Sequence, residues 1–128
     1  MCIRDRIKDN QLESKVRLVT DFLDDDVAIS TLAKCELLVF PYQKTNESAS
    51  GAVRMGVAAG TPIAVSPIPI FDDITGSIKM RGASVEDIVA SISAITDEQM
   101  ANSRNEIVKL RDAHQWETIA SKIHSLLK

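Results

Sequence analysis

The sequence predicts an α/β protein, a Rossmann-like parallel sheet with helices on both faces. Three observations predict it. Glu36–Tyr42 and the run that opens at Ile63 are rich in Leu, Val, Ile and Phe without polar alternation. That pattern suits parallel strands covered on both sides. Gly51–Ala59 lies between them with helical composition, and Gly60-Thr61-Pro62 supplies the turn that ends it. Strand, helix and strand then form a right-handed crossover unit. In open sheets of this kind ligands sit outside the carboxyl ends of the strands. Here that place is the loop Tyr42–Ser50.

From the amino end, Met1–Arg6 (Met-Cys-Ile-Arg-Asp-Arg) has the look of a translated adapter scar and is set aside as a non-native leader. The other reading is a helical start running through Leu12. The remaining residues, 7–128, make one domain's length, enough for a single core. Val16–Thr20 is rich in β-branched residues and reads as a short strand. Asp24-Asp25-Asp26 opens a helix through Lys34, with Val27, Ile29, Leu32 and Ala33 as its buried side. Three carboxylates in a row invite a metal reading, but acids also suit a helix start and Asp is a good N-cap.

Beyond the central unit, Pro67 and Pro69 interrupt regular structure, and Phe71-Asp72-Asp73 is a turn into Ile74. Asp72 and Asp73 read as one cap and one solvated side chain rather than an acid–base pair, because adjacent side chains point apart. Ser77–Met80 is a short strand. Ser84 caps a helix whose Val85, Ile88, Val89, Ile92 and Ile95 recur at helical spacing and read as core. Thr96 caps the next, to about Ala113, with Met100, Ile107, Val108 and Leu110 inward. Glu117–Leu127 forms the last, with Ile119, Ala120, Ile123 and Leu127 on one face and Trp116 as a packing anchor. His114 and His124 have no carboxylate partner fixed by spacing, so surface or packing roles lead.

The loop at the strand ends has a physical case of its own. Ser48, Ser50 and Gly51 precede the helix, where Ser can cap free N–H groups and Gly51 lets a ligand approach the backbone. Unpaired N–H groups and the positive end of the helix dipole favour phosphate. Glu47, the acid of that loop, can accept two hydroxyl hydrogen bonds. A plainer reading is an ordinary capped helix with a solvated Glu47. Rival phosphate loops fail: Gly51 and Gly56 have Walker spacing, but Val57 stands where Lys is required, and no G-x-G-x-x-G is present.

Composition narrows the classes. Hydrophobic residues make up 45% and charged residues 26%, ordinary for a soluble globular domain. Fifteen basic against eighteen acidic residues give a net charge of −3 without a basic tract, so nucleic acid is not an expected partner. The apolar runs are too short to cross a bilayer and no secretory leader is recognisable, which points to the cytoplasm. Cys2 and Cys35 lack a CxxC or a nearby His, so neither zinc nor a disulfide framework is expected.

The stretch from Glu47 through Gly60-Thr61-Pro62 resembles the donor-site motif of the GT-B glycosyltransferases of family four. In that family a Glu opens the loop, a second Glu follows eight residues on, and Gly-Thr-Pro closes the helix. Val39-Phe40-Pro41-Tyr42 and Ser66–Asp73 also resemble family segments, and the resemblance runs from about Val16 to Lys128. The departure is Met55 at the second Glu, which in the family holds the nucleotide ribose. The resemblance implies the C-terminal, donor-binding half of a GT-B enzyme, incomplete at its N-terminal side. That enzyme would move sugar from a nucleotide diphospho-sugar to an unidentified acceptor, with retention and without metal or other cofactor.

Within that resemblance Glu47 holds donor hydroxyls, the Ser50, Gly51 and Ala52 backbone receives the diphosphate, Ser48 is a further donor-binding residue, and Phe22 lies by the base, although packing also claims Phe22. The implied partners are the donor and a missing N-terminal domain that completes the site. This chain alone would be inactive, and any peripheral membrane association would belong to the parent. Two alternatives remain. One is a non-catalytic binding or interaction domain of the same fold, which Met55 favours. The other is a phosphoacceptor receiver domain, suggested by Asp24–Asp26 after a strand; that fold needs a Lys after its last strand, whereas Lys79 lies within a weak one, so this reading ranks low.

Overall fold

A computed structural model describes residues 2–128. It contains helix α1 (Ile3–Asp9), α2 (Asp25–Leu32), strand β1 (Leu38–Phe40), α3 (Gly51–Ala59), β2 (Ile63–Val65) and β3 (Ile78–Lys79). Helices α4 (Val85–Ser93), α5 (Asp97–Ala113) and α6 (Trp116–Leu126) complete the order. The strands form one open parallel sheet in the order β1-β2-β3, with Leu38 opposite Ile63 and Ala64 opposite Ile78. The fold is therefore mixed α/β on a small parallel sheet.

The centre forms as its local signals dictate. Ser50 Oγ accepts from Val53 N–H, which caps the start of α3, a contact worth about 1 kcal/mol. At the other end Gly60 adopts φ 69°, the left-handed conformation that terminates helices. Gly56 faces the sheet, where a Cβ would stand 2.9 Å from Leu38 Cδ1 and 3.2 Å from Ile63 Cδ1. Its missing side chain lets α3 lie close on β1 and β2. Val53, Val57, Ile63, Val65, Phe71, Ile74 and Ile107 form the core around that contact. Helices α2 and α5 pack against α3, and α5 also touches β2.

The connection from β2 to β3 is short and tightly packed. Pro69–Phe71 makes one 3-10 turn, so the prolines shape a turn rather than merely excluding structure. Gly76 adopts φ 86°, and a Cβ there would come within 2.4 Å of Glu106 Cβ and 3.2 Å of the α5 backbone. Gly76→Ala therefore adds both backbone strain and a collision, and about 2 kcal/mol of stability should be lost. Urea unfolding monitored by circular dichroism checks this; a change below about 0.5 kcal/mol would show that the turn can shift freely away from α5.

Several sequence expectations need correction. Val16–Thr20 is not a strand: it pairs with no neighbour, and Val16, Leu18 and Val19 are each more than 40% exposed. Strand β1 is shorter than the apolar run Glu36–Tyr42, since only Leu38–Phe40 pair with β2. In α2 Val27 is exposed and Ala33 falls at the C-cap, so Ile29 and Leu32 carry the half-buried side. Asp24 is the α2 N-cap by backbone position, but its carboxylate accepts no capping hydrogen bond. The α4 face is not core: Val85, Val89 and Ile92 are exposed and no α4 residue is buried.

The last helix departs in the same way. Trp116 anchors nothing, being 82% exposed, and Ile123 and Leu127 are exposed as well. Of residues 1–6, Met1 lies outside the described residues and Ile3–Arg6 belong to α1, which ends at Asp9 rather than Leu12. The caps assigned to Ser84 and Thr96 form, the latter as a reciprocal capping box with Gln99. No helix among the described residues is long and apolar enough to cross a membrane.

Candidate functional site at the start of helix α3

The carboxyl end of β1 continues through Pro41 and Tyr42 into the loop that delivers the chain to α3. Tyr42 is held from two sides. Its ring meets Phe71 edge to face with centroids 5.2 Å apart, and Phe40 at 6.3 Å. Its hydroxyl lies 3.0 Å from Ser50 Oγ. A chain of contacts thus runs from the core at Phe71 through Tyr42 to the cap of α3. The sequence signals did not single out Tyr42, because its partner stands eight residues on and across the loop.

The site residues divide along that chain. Ser50 is buried and its hydroxyl is committed to Val53 N–H and Tyr42, so its side chain fixes the helix rather than facing a ligand. Gly51 and Ala52 are exposed, and as the first residues of a helix their N–H groups have no carbonyl partner within it. Space at Gly51 is open: an added Cβ would meet nothing within 4 Å. Glu47 and Ser48 are exposed in the preceding loop, where Glu47 N–H donates to Thr45 Oγ1 at 3.2 Å. The Glu47 carboxylate has no hydrogen-bond or salt-bridge partner among the described residues.

Gln43 Nε2 donates to Ala83 O at 3.2 Å, which ties the loop after β1 to the segment following β3. Glu47, Ser48, Ser50, Gly51 and Ala52 fall within six consecutive residues of chain, in the loop and the first turn of α3. Phe22 does not join the core. It is 96% exposed, so the packing role is corrected. Met55 is half-buried in α3 and offers no acceptor to a ribose.

The acidic runs resolve into surface chemistry. Asp25 and Asp26 lie in the first turn of α2, and no cluster of metal-binding side chains occurs among the described residues. Asp73 pairs with Arg54 of α3, and Asp72 lies 3.6 Å from Lys79 Nζ. Asp72 is the C-cap of the Pro69–Phe71 turn, its N–H donating to Pro69 O at 3.0 Å, and the carboxylates of Asp72 and Asp73 both stay largely exposed beside their cations. Lys79 lies within β3, not after the last strand, and its Nζ also donates to Phe71 O at 3.1 Å.

A cleft of about 560 Å³ opens elsewhere, between α3 and the carboxyl end of α5, lined by Arg54, Val57, Ala58, Asp73, Arg111, His114 and Gln115. Its lining does not include the Glu47 loop. The chain matches no model of a known protein family and no curated protein.

Proposed function

We propose that the chain is the donor-binding half of a glycosyltransferase, a Rossmann-like GT-B domain acting in the cytoplasm on a nucleotide diphospho-sugar. The observation that carries this reading is the exposed start of α3 at the carboxyl end of β1. Free N–H groups at Gly51 and Ala52 and the positive helix end suit a diphosphate, and open space at Gly51 admits it. Glu47 lies beside them with an unengaged carboxylate, the group that would grip sugar hydroxyls. The acceptor and the cationic clamp on the diphosphate would come from a second domain. Transfer would proceed with retention and without a divalent metal, the leaving diphosphate being carried by N–H groups and cations.

Gly51→Ala tests the site without disturbing the fold. The added methyl has room and the residue sits in a helix, so stability should be unchanged or slightly higher. The same methyl would stand where the phosphate must approach. Titration of UDP, GDP and ADP into the labelled chain should shift the Gly51 and Ala52 amides at about millimolar concentration. At least a tenfold loss of affinity is expected in Gly51→Ala. Equal binding by both proteins, or shifts that avoid these amides, would remove the phosphate from the start of α3.

Met55 favours a second reading, a binding domain of the same fold without catalysis. A half-buried thioether cannot accept ribose hydroxyls as a carboxylate does. Under that reading nucleotide would bind at Gly51 while Glu47→Gln left every measurable property intact.

A further inference from the structure

We propose that the cleft between α3 and α5 binds a small organic anion, a phosphate or carboxylate carried on an apolar body. The cleft is separate from the Glu47 loop, and its chemistry does not depend on how that loop is used. Its volume of about 560 Å³ is ample for such a molecule. Val57 and Ala58 of α3 give it an apolar wall, and around them stand two guanidiniums, one carboxylate and one imidazole.

Both guanidiniums are set in place. Asp73 holds Arg54 through one terminal nitrogen. Asp112 takes Arg111 Nε at 3.0 Å, which leaves the two terminal nitrogens of Arg111 as donors. Arg111 Nη1 lies over Gly60, 2.9 Å from where a Cβ would stand, so the absence of a side chain at Gly60 makes room for the guanidinium. A planar fork already oriented this way suits the two oxygens of a carboxylate or phosphate.

His114 supplies the complementary function. Its Nδ1 lies 2.8 Å from Leu110 O, and a carbonyl can only accept, so Nδ1 carries the proton. In the neutral ring Nε2 is then an acceptor, able to take a hydrogen bond from the P–OH of a phosphate monoester. Asp73 works against the anion, because it repels the incoming charge and competes for Arg54. That opposition gives the site a signature that a merely apolar cleft lacks.

Phenyl phosphate, benzoate and neutral benzyl alcohol should be titrated into the isotope-labelled chain, with Arg side-chain and backbone signals followed. Phenyl phosphate and benzoate are expected to shift Arg54, Ala58, Arg111 and His114, with benzyl alcohol at least tenfold weaker. Arg111→Met should weaken phenyl phosphate at least fivefold. Asp73→Asn should strengthen it several-fold, an effect that loss of structure cannot mimic. Equal binding of benzyl alcohol, shifts scattered over the surface, or weaker binding in a folded Asp73→Asn protein would each overturn the proposal.

Discussion

Phe71→Ala will cost about 3–5 kcal/mol of stability, the range for emptying a buried aromatic site. Phe71 is fully buried and lies among Val53, Ile63, Val65, Ile74 and Ile107, with both α3 and the sheet against it. The turn at Pro69–Phe71 lies between β2 and β3, and Lys79 of β3 holds the Phe71 carbonyl at 3.1 Å, which opposes a simple collapse of the space. Against a total stability of about 5–15 kcal/mol such a loss is a large fraction. The damage should also travel. Tyr42 leans on Phe71 and hydrogen-bonds Ser50, so the α3 cap should loosen with it. Urea denaturation gives the stability change, and hydrogen exchange at Val53 N–H reads the cap. A loss below about 1.5 kcal/mol, or unchanged Val53 protection, would break the link between core and helix start.

Glu47→Gln is the strongest test of the proposed chemistry. In the complete enzyme it should lower kcat/KM by about thirty-fold to nearly a thousand-fold, or about 2–4 kcal/mol of transition-state stabilisation. The amide keeps the size of the side chain but loses the charge, and charge-assisted hydrogen bonds are about twice as strong as neutral ones. Because the carboxylate is exposed and has no hydrogen-bond or salt-bridge partner among the described residues, stability should not change, and any effect belongs to function. Met55→Ala is the control. It removes packing from a half-buried position and should raise the donor KM only modestly. A folded Glu47→Gln enzyme with near-normal kcat/KM would leave Glu47 a solvated loop residue and withdraw the donor site.

What could be read in the sequence was local. Helix α3 runs from Gly51 to Ala59 as expected, because Ser50 and Gly60 carry its start and stop within a few residues. The caps at Ser84 and Thr96 were legible for the same reason. What failed depended on partners. Val16–Thr20 has strand composition, but a strand exists only when another lies beside it. The spacing of Val85, Val89 and Ile92 shows that α4 has an apolar face and says nothing of what covers it. Asp73 finds Arg54 nineteen residues back, and no spacing rule connects them. At the site, Glu47 and Gly51 were legible as residue types at the end of a strand, whereas the part played by Tyr42 was not.

The contacts that fix Ser50 divide the thermodynamic work of any ligand that docks at α3. The N–H groups of Gly51 and Ala52 sit on a capped helix held through Tyr42 to the core, so engaging them takes away little backbone freedom. Glu47 sits in an exposed loop, its N–H bonded to Thr45 Oγ1 and its carboxylate without a hydrogen-bond partner among the described residues. Gripping a ligand there means ordering that loop, at about 1–2 kcal/mol for each residue whose backbone is fixed. The anionic end of a ligand therefore meets a rigid surface and the hydroxyl end a pliant one. Affinity would rest mainly with the first, and discrimination among ligands with the second.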